Sequence, residues 1–315
     1  MSHETFELID KIRRSGQRAA MATLVRTHGT TPRKEGTKMF VGADGSVFGS
    51  VTIGGCVDAR VIEHARDVLA SATPHLLNLQ LGDEDAWEIG LTCGGKVDVF
   101  IEPLDGVANL YEIAKGRSIG IATDVRSGAH ALIEPPDGRS RMINDTIYVE
   151  VLRPLSTMYI FGAGAVAIPL ITFAKAVGFR TVVVDGRPQF ASRERFPEAD
   201  EIRIGIASEL AEKIHFDSTT PVVLVAHDYK YDIPILKRVL TSDAPYVGLL
   251  GSRRRGAAIQ QMLRDEGVTD EQLRRVRVPI GLDIGGETAA EIALSIVAEV
   301  VAVTHGRNGN PLHVR

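Results

Sequence analysis

A glycine-rich loop stands between a short apolar strand and a helix in the second half of the chain. The strand Met158 to Phe161 runs directly into the loop, Gly162 to Ala167, and a helical pattern follows. In this order Gly162 permits a tight turn, Gly164 lets a phosphate approach the backbone, and Ala167 lets the helix lie close to the strand. The G-x-G-x-x-A pattern predicts a Rossmann-like, doubly wound parallel sheet.

An acidic residue follows at the spacing that such a fold uses for a ribose. The next apolar strand, Thr181 to Val184, ends in Asp185, about 20 residues past the glycines, where a carboxylate can hold a pair of ribose hydroxyls. Arg187 comes two residues later. It either binds a 2′-phosphate, as in sites for NADP, or is a solvated loop charge.

Two later strands end in polar residues. The apolar strand Val222 to Ala226 leads into His227, at the edge where such sheets bind ligands, although His227 and Asp228 also suit a helix cap. The strand Tyr246 to Leu250 leads into Gly251, Ser252 and Arg253, a predicted phosphate contact at a helix start. For the two arginines that follow, Arg254 and Arg255, we favour solvated surface charge.

A glycine-rich turn precedes the last helix. Asp283 and Gly285 lie in the segment 281–287, and the helix is predicted from Thr288 to Thr304. Because amides at a helix start attract anions, this turn is another candidate anion site. The apolar helix is either a homodimer contact or buried within its own domain.

Length and charge limit the class of protein. A chain of 315 residues predicts two domains, which we place at 1–153, an α+β domain, and 154–315, the Rossmann-like domain. The net charge is −4, and basic and acidic residues are mixed along the chain, so electrostatics gives no reason to expect nucleic acid as a partner. The chain shows no leader and no apolar run that could cross a bilayer, and its two cysteines suit a reducing cytoplasm.

The N-terminal domain is predicted to mix helices and strands. The patterns indicate a helix over 6–14, a strand over 18–26, a polar loop over 27–36 and a hairpin from 38 to 51. Alternation around Val99 predicts a half-buried strand whose polar face includes Glu102.

Both cysteines stand against glycine pairs. Gly54 and Gly55 precede Cys56, and Gly94 and Gly95 follow Cys93. Cys56 also begins a predicted helix, where unpaired amides and the helix dipole favour the thiolate. The alternative is that both cysteines are small buried apolar side chains. A zinc site completed by histidines is a further, weaker alternative.

Six segments together resemble the XdhC/CoxI family, and the resemblance spans nearly the whole chain. They are Thr27-His28-Gly29-Thr30-Thr31-Pro32, Gly54-Gly55-Cys56-Val57-Asp58, Leu91-Thr92-Cys93-Gly94-Gly95, Phe161-Gly162-Ala163-Gly164, Gly248-Leu249-Leu250-Gly251-Ser252-Arg253 and Pro279-Ile280-Gly281-Leu282-Asp283-Ile284-Gly285. One departure is Ala165, because many members of the family have histidine directly after the second fingerprint glycine.

The resemblance implies a maturation factor rather than an enzyme. Such proteins bind a molybdopterin-type molybdenum cofactor, protect it during sulfuration and insert it into an apo molybdenum hydroxylase of the xanthine dehydrogenase, aldehyde oxidase or carbon monoxide dehydrogenase type. A cysteine desulfurase or a cofactor nucleotidyltransferase is a possible further partner, and the cofactor is either mononucleotide or dinucleotide in form. Two alternatives stay open, an NAD(P)-dependent oxidoreductase and a cysteine-based sulfur-transfer or redox enzyme.

The resemblance also suggests how the two domains share the cofactor. A molybdenum dithiolene centre is soft, so Cys56 and Cys93 are candidate contacts to molybdenum or to its sulfur. The glycine loop and Arg253 suit a phosphate or pyrophosphate. We therefore expect the cysteines of the first domain to face a cofactor held by the second.

Overall fold

The structure is a computed structural model that describes residues 3–29, 33–52, 55–81, 95–115, 117–136, 139–226 and 229–311. The chain divides into two compact units, Met1–Pro154 and Leu155–Arg315. Within the described ranges, no helix is both long enough and apolar enough to cross a membrane.

The first unit is built on two antiparallel sheets. The order of the larger sheet is β3-β2-β1-β5-β4 and that of the smaller is β7-β6-β9-β8. The strands are β1 Ala19–Gly29, β2 Lys38–Gly42, β3 Val47–Gly49, β4 His75–Leu81, β5 Gly95–Pro103, β6 Ile119–Asp124, β7 His130–Ile133, β8 Arg141–Met142 and β9 Ile147–Leu152. The described helices of this unit are α1 His3–Ser15, α2 Cys56–Ser71 and α3 Ala108–Ala114.

The larger sheet is buried on both faces. Alternate residues of β1, such as Ala22 and Leu24, pack with Val61 and Ala65 of α2 in one apolar cluster. The opposite face of the sheet contributes Val25 of β1 and Phe100 of β5 to a second cluster with the smaller sheet. Helix α2 therefore covers one face and the smaller sheet covers the other.

Two expectations for this unit were wrong, and one strand was not predicted. Strand β1 continues to Gly29, through part of the predicted 27–36 loop, because a register shift after Leu24 lets it pair with β5 up to Gly95. Strand β4, which pairs with β5, was not predicted. Glu102 is 5% exposed rather than solvated, because it faces the smaller sheet, where its carboxylate lies 2.7 Å from His130 Nε2.

The second unit contains a six-stranded sheet in which every neighbouring pair is parallel. Its strands are β10 Thr157–Phe161, β11 Arg180–Asp185, β12 Glu201–Ile204, β13 Val222–Leu224, β14 Val247–Leu249 and β15 Val276–Arg277. Their order, β12-β11-β10-β13-β14-β15, is the Rossmann order 3-2-1-4-5-6 counted within the unit. The predicted α/β fold class is confirmed.

Helices cover both faces of this sheet. They are α4 Ala167–Ala176, α5 Ala207–Glu212, α6 Tyr229–Leu240, α7 Arg253–Asp265, α8 Asp270–Leu273 and α9 Ala289–Thr304. Ile160 and Val183 face α4 and α9, whereas Phe161 and Val184 face α6 and α7. Since Ile296 of α9 is fully buried in this core, the apolar helix packs within its own unit.

Candidate functional site

The predicted site residues of the second unit follow the carboxyl ends of its parallel strands. Strand β10 lies between β11 and β13, so the connections from β10 and from β13 leave in opposite directions along the sheet. Such a switch point opens a crevice at the carboxyl edge, and ligands of open α/β sheets bind there. The glycine loop after β10 borders this crevice.

The two fingerprint glycines have different physical roles. Gly162 has a φ of 112°, and a Cβ at this position would lie 2.6 Å from the Ala226 amide nitrogen of the neighbouring strand end. A Cβ on Gly164 would meet only Val225 O, at 3.9 Å. Gly162 is therefore required by the fold, whereas Gly164 leaves space at the surface of the loop.

The start of α4 has amides that suit an anion. No described residue accepts a hydrogen bond from the amides of Gly164 or Ala165, and Ala165 is exposed. The helix has no side-chain cap at Val166. Uncapped amides at the positive end of a helix dipole bind phosphate groups well.

Asp185 is engaged within the protein itself. Its Oδ2 accepts from the Ala163 amide at 2.7 Å and from Arg187 Nη2 at 2.8 Å. Its Oδ1 accepts from the Arg187 amide at 2.9 Å and from Arg187 Nε at 3.0 Å. Burial raises the pKa of Asp185, but the hydrogen bonds from Arg187 and from the Ala163 amide outweigh burial. The net effect is a pKa below 3.8. As the structure stands, Asp185 fixes the loop and Arg187.

Two arginines lie beside the glycine loop. The Arg187 guanidinium, whose side chain is 55% exposed, stacks on the Phe190 ring at 4.2 Å from its centroid. Arg195 donates to Ala163 O at 3.1 Å and lies 5.2 Å from the centroid of the same ring. Arg187 is therefore partly solvated and also held against Asp185 and Phe190, and its role toward a 2′-phosphate stays a prediction.

The segment after β14 serves the protein as a helix cap. The Ser252 hydroxyl accepts from the Arg255 amide at 3.2 Å, and Arg253 and Arg254 are exposed. The interpretation of Arg255 as solvated surface charge was wrong. Its Nη2 lies 2.5 Å from Oδ2 of Asp232, and the two side chains are only 13% and 1% exposed.

The turn before α9 already contains a carboxylate. Glu291 Oε2 accepts from the amides of Glu287 and Thr288, at 3.0 and 2.9 Å, and completes a capping box with Thr288. An acidic group therefore occupies the position where we expected an anion. Asp283 and Gly285 are exposed in this turn, and their role as cofactor contacts stays a prediction.

Helix α2 begins at Cys56, as its pattern predicted. Gly55 precedes it with a φ of 100°, and no side chain caps the helix. Asp58 in its first turn accepts from the Ser50 hydroxyl at 2.5 Å and from the Thr52 hydroxyl at 3.4 Å. These bonds fix the start of the helix, where the dipole favours a thiolate.

Several predicted site residues lie outside the described residues. They are Gly54, Cys93, Gly94 and His227, and the side chain of Cys56 also lies outside. Gly95 is the first residue of β5, where it pairs with Gly29 and Leu81. The expected approach of the two cysteines to one cofactor therefore stays a prediction.

The first unit contains a buried polar network that the sequence patterns did not predict. Lys38 Nζ lies 3.1 Å from Glu150 Oε1, with side-chain exposures of 2% and 7%. The Tyr111 hydroxyl donates to Glu150 Oε2 at 2.7 Å. Charged side chains are rarely so buried without a partner. Lys38 and Glu150 belong to different sheets, and no local pattern could have predicted their pairing.

Two family models match the sequence. The model described as the XdhC Rossmann domain matches residues 158–300, and the model described as the XdhC and CoxI family matches residues 12–80. Together the two matches cover more than half of the chain, and each falls within one of its compact units.

Named relatives are similar over most of their length. The chain is 25% identical over 323 residues to a probable xanthine dehydrogenase component of Bacillus subtilis (strain 168), covering 93% of this chain and 96% of that protein. It is 27% identical over 294 residues to the molybdenum cofactor insertion chaperone PaoD of Escherichia coli (strain K12), covering 92% and 84%.

A solved structure has the same fold. The crystal structure described as a xanthine dehydrogenase from Bacillus halodurans matches with a TM-score of 0.84 and 28% identity, covering 98% of this chain and 97% of that one. The resemblance carried by the six sequence segments is thereby confirmed. The chain belongs to the XdhC and CoxI family.

Proposed function

We propose that this protein is a molybdenum cofactor chaperone, which binds the cofactor, protects it during sulfuration and inserts it into an apo molybdenum hydroxylase. The observation that carries the proposal is the uncapped start of α4. There the Ala163 amide binds Asp185, and Asp185 in turn binds Arg187. The relative named as a molybdenum cofactor insertion chaperone supports it.

The residues around the glycine loop fit a phosphate group. The amides of Gly164 and Ala165 would donate to its oxygens, and the Arg187 guanidinium would add charge. Asp185 would keep Arg187 beside the loop instead of holding a ribose. A ligand that brings a phosphate therefore matches the site better than one that brings only a ribose diol.

The cysteines complete the proposal from the first unit. Cys56 at the start of α2 would supply a thiolate, and Cys93 a second sulfur, to contact the molybdenum centre or its sulfur. The cofactor itself supplies the redox chemistry of the hydroxylase once it has been transferred. The chaperone would bind, orient and shield it from water.

The nucleotide form of the cofactor, and a cysteine desulfurase or nucleotidyltransferase as a second partner, rest on the family resemblance. A cytoplasmic location rests on the two cysteines, and a homodimer rests on the general frequency of two-fold oligomers. One observation favours the alternative of an NAD(P)-dependent oxidoreductase. Arg187 lies beside Asp185, and an arginine near that acid is also the feature that binds the 2′-phosphate of NADP.

The test is to titrate the full chain separately with molybdopterin, NADH and NADPH, and to measure binding of each by calorimetry. We expect molybdopterin to bind and Arg187→Ala to weaken binding about tenfold or more, since a charged hydrogen-bonding partner is lost. Arg264→Ala is the matched control, because this exposed arginine lies in the last turn of α7, at the opposite end of that helix from Ser252 and Arg253. Tight NADPH binding without molybdopterin binding would refute the chaperone proposal.

A further inference from the structure

Ala163, between the two fingerprint glycines, is hydrogen-bonded to a charged side chain through its amide and another through its carbonyl. The amide donates to Asp185 Oδ2 at 2.7 Å, and the carbonyl oxygen accepts from Arg195 Nη1 at 3.1 Å. Ala163 is buried, whereas Gly164 is half-buried and Ala165 is exposed. The two charged groups therefore fix both peptide planes of Ala163 just before the loop reaches the surface.

The carbonyl of Ala163 and the amide of Gly164 belong to the same peptide plane. A trans peptide is planar, and its C=O and N–H bonds point in opposite directions. Because Arg195 binds the Ala163 oxygen, the Gly164 N–H points away from Arg195. A side chain on the connection between β11 and β12 thus sets the direction of an amide in the glycine loop.

Gly164 uses its carbonyl within the loop but leaves its amide available. The carbonyl oxygen accepts from the Ala167 amide at 3.2 Å, whereas no described residue accepts from the Gly164 N–H. A Cβ on Gly164 would meet only Val225 O, at 3.9 Å, so the loop is open at this residue. An amide that is held in one direction and has no acceptor is preorganised for an anion.

Arg195 is itself held in place by several contacts. Its Nη1 also donates to Phe190 O at 2.9 Å, and its guanidinium lies 5.2 Å from the centroid of the Phe190 ring and 5.5 Å from that of buried Phe196. Arg187 stacks on the same Phe190 ring and binds Asp185. The contacts thus close a circuit around the start of the glycine loop.

The positive charge of Arg195 is not balanced by a carboxylate of the described residues. Arg187 pairs with Asp185, whereas the hydrogen bonds of Arg195 within the described ranges go to carbonyl oxygens. A hydrogen bond from a cation polarises the Ala163 carbonyl, which makes the N–H on the same peptide a stronger donor. Arg195 therefore both orients and strengthens the Gly164 amide.

We infer that Arg195 is a positioning residue, which holds the Gly164 amide toward a phosphate oxygen of the ligand without touching the ligand itself. The identity of that ligand as the molybdenum cofactor rests on the proposed function, whereas the preference for an anion rests on the oriented amide. A bond that served only the fold would leave anion affinity unchanged in a folded variant.

The test measures binding of inorganic pyrophosphate to the full chain by calorimetry. We expect Arg195→Met to weaken this binding about tenfold or more, because the Gly164 amide is then free to turn away. Arg193→Met is the matched control, since Arg193 lies on the same connection and also donates to a backbone carbonyl, that of Ala199. The control should bind pyrophosphate as wild type does. Equal losses in the two variants, or no loss in Arg195→Met, would overturn the inference.

The amide signal of Gly164 in heteronuclear NMR spectra provides a second measurement, made without ligand. Arg195→Met should shift this signal, whereas Arg193→Met should leave it in place, with thermal unfolding used to establish that both variants are folded. If Arg195→Met does not fold, Arg195→Gln keeps a polar side chain, loses the charge and should show the same shift and the same loss of affinity. An unchanged Gly164 signal would contradict the positioning role.

The outcome for Arg195 is separable from the outcome for the proposed function. If pyrophosphate binding depends on Arg195 but wild type does not bind molybdopterin, the positioning role stands and the chaperone proposal fails. If wild type and Arg195→Met bind molybdopterin equally well, the chaperone proposal stands and the positioning role fails. Absence of pyrophosphate binding by wild type would also overturn the positioning role.

Discussion

At the scale of single residues, neighbours decide what a charged side chain does. Asp185 has the sequence position of a ribose ligand, yet four donors from Ala163 and Arg187 surround its carboxylate. Arg255 lies in a run of three arginines, but it alone turns inward to Asp232. The sequence predicts the charge of such residues and their place on an element, whereas only packing determines their partners.

Asp185→Asn should destabilise the second unit by about 2 kcal/mol at neutral pH, because an amide donor replaces an acceptor of charged hydrogen bonds. Since the folded-state pKa lies below 3.8, the carboxylate stabilises the fold above that pH, and this stabilisation is lost as the pH falls through the lowered pKa. Urea unfolding of both proteins between pH 7 and pH 3 measures the difference. A difference that grows toward acid pH would contradict the prediction.

Arg255→Met should cost about 3–5 kcal/mol of stability, because it removes the arginine paired with the fully buried Asp232. Arg254→Met on the same helix is the matched control, and exposed substitutions of this kind usually change stability by less than about 0.5 kcal/mol. Thermal unfolding monitored by circular dichroism distinguishes them. The double variant Asp232→Asn with Arg255→Met should recover part of the loss.

At the scale of elements, strongly patterned segments were predictable, whereas several strands that depend on a neighbour for pairing were not. The fingerprint loop with its strand and helix, and helix α2 from Cys56, follow from local pattern. The missed strands β12 and β15 lie at the two edges of the parallel sheet, and β15 has only two residues. Such strands exist because a neighbour is available for pairing, and no local pattern contains that information.

The two glycines of the fingerprint loop should respond differently to alanine. Gly162→Ala should destabilise the second unit by about 1–3 kcal/mol, because its Cβ would overlap the Ala226 amide and its φ is 112°. Gly164→Ala should leave thermal stability nearly unchanged but weaken molybdopterin binding, since its methyl group would occupy the space beside the loop. Equal losses of stability would show that Gly164 also serves the fold.

At the scale of the whole molecule, the chain contains two compact units with separate cores. The first is built around α2 and two antiparallel sheets, and the second around one parallel sheet with helices on both faces. The division after Pro154 lies within one residue of the predicted boundary. We propose that the two units are independent folding domains.

Residues 155–315 expressed alone should therefore fold, with cooperative thermal unfolding measured by calorimetry, because the unit retains all six strands of its sheet. Residues 164–315 provide the control. This shorter fragment lacks β10, the central strand of the sheet, and should not unfold cooperatively. Failure of the longer fragment to fold would mean that the units depend on each other.

The sequence by itself determined the α/β class, the places of the second unit's main strands along the chain, and the positions of the family segments. Those features depend on local pattern and on residue spacing along the chain. Only the tertiary structure decided that the Ala163 amide binds Asp185, that Arg255 pairs with Asp232, and that Lys38 pairs with Glu150. Each of these contacts joins groups according to their positions in space, and the one between Lys38 and Glu150 spans two sheets that are far apart in sequence.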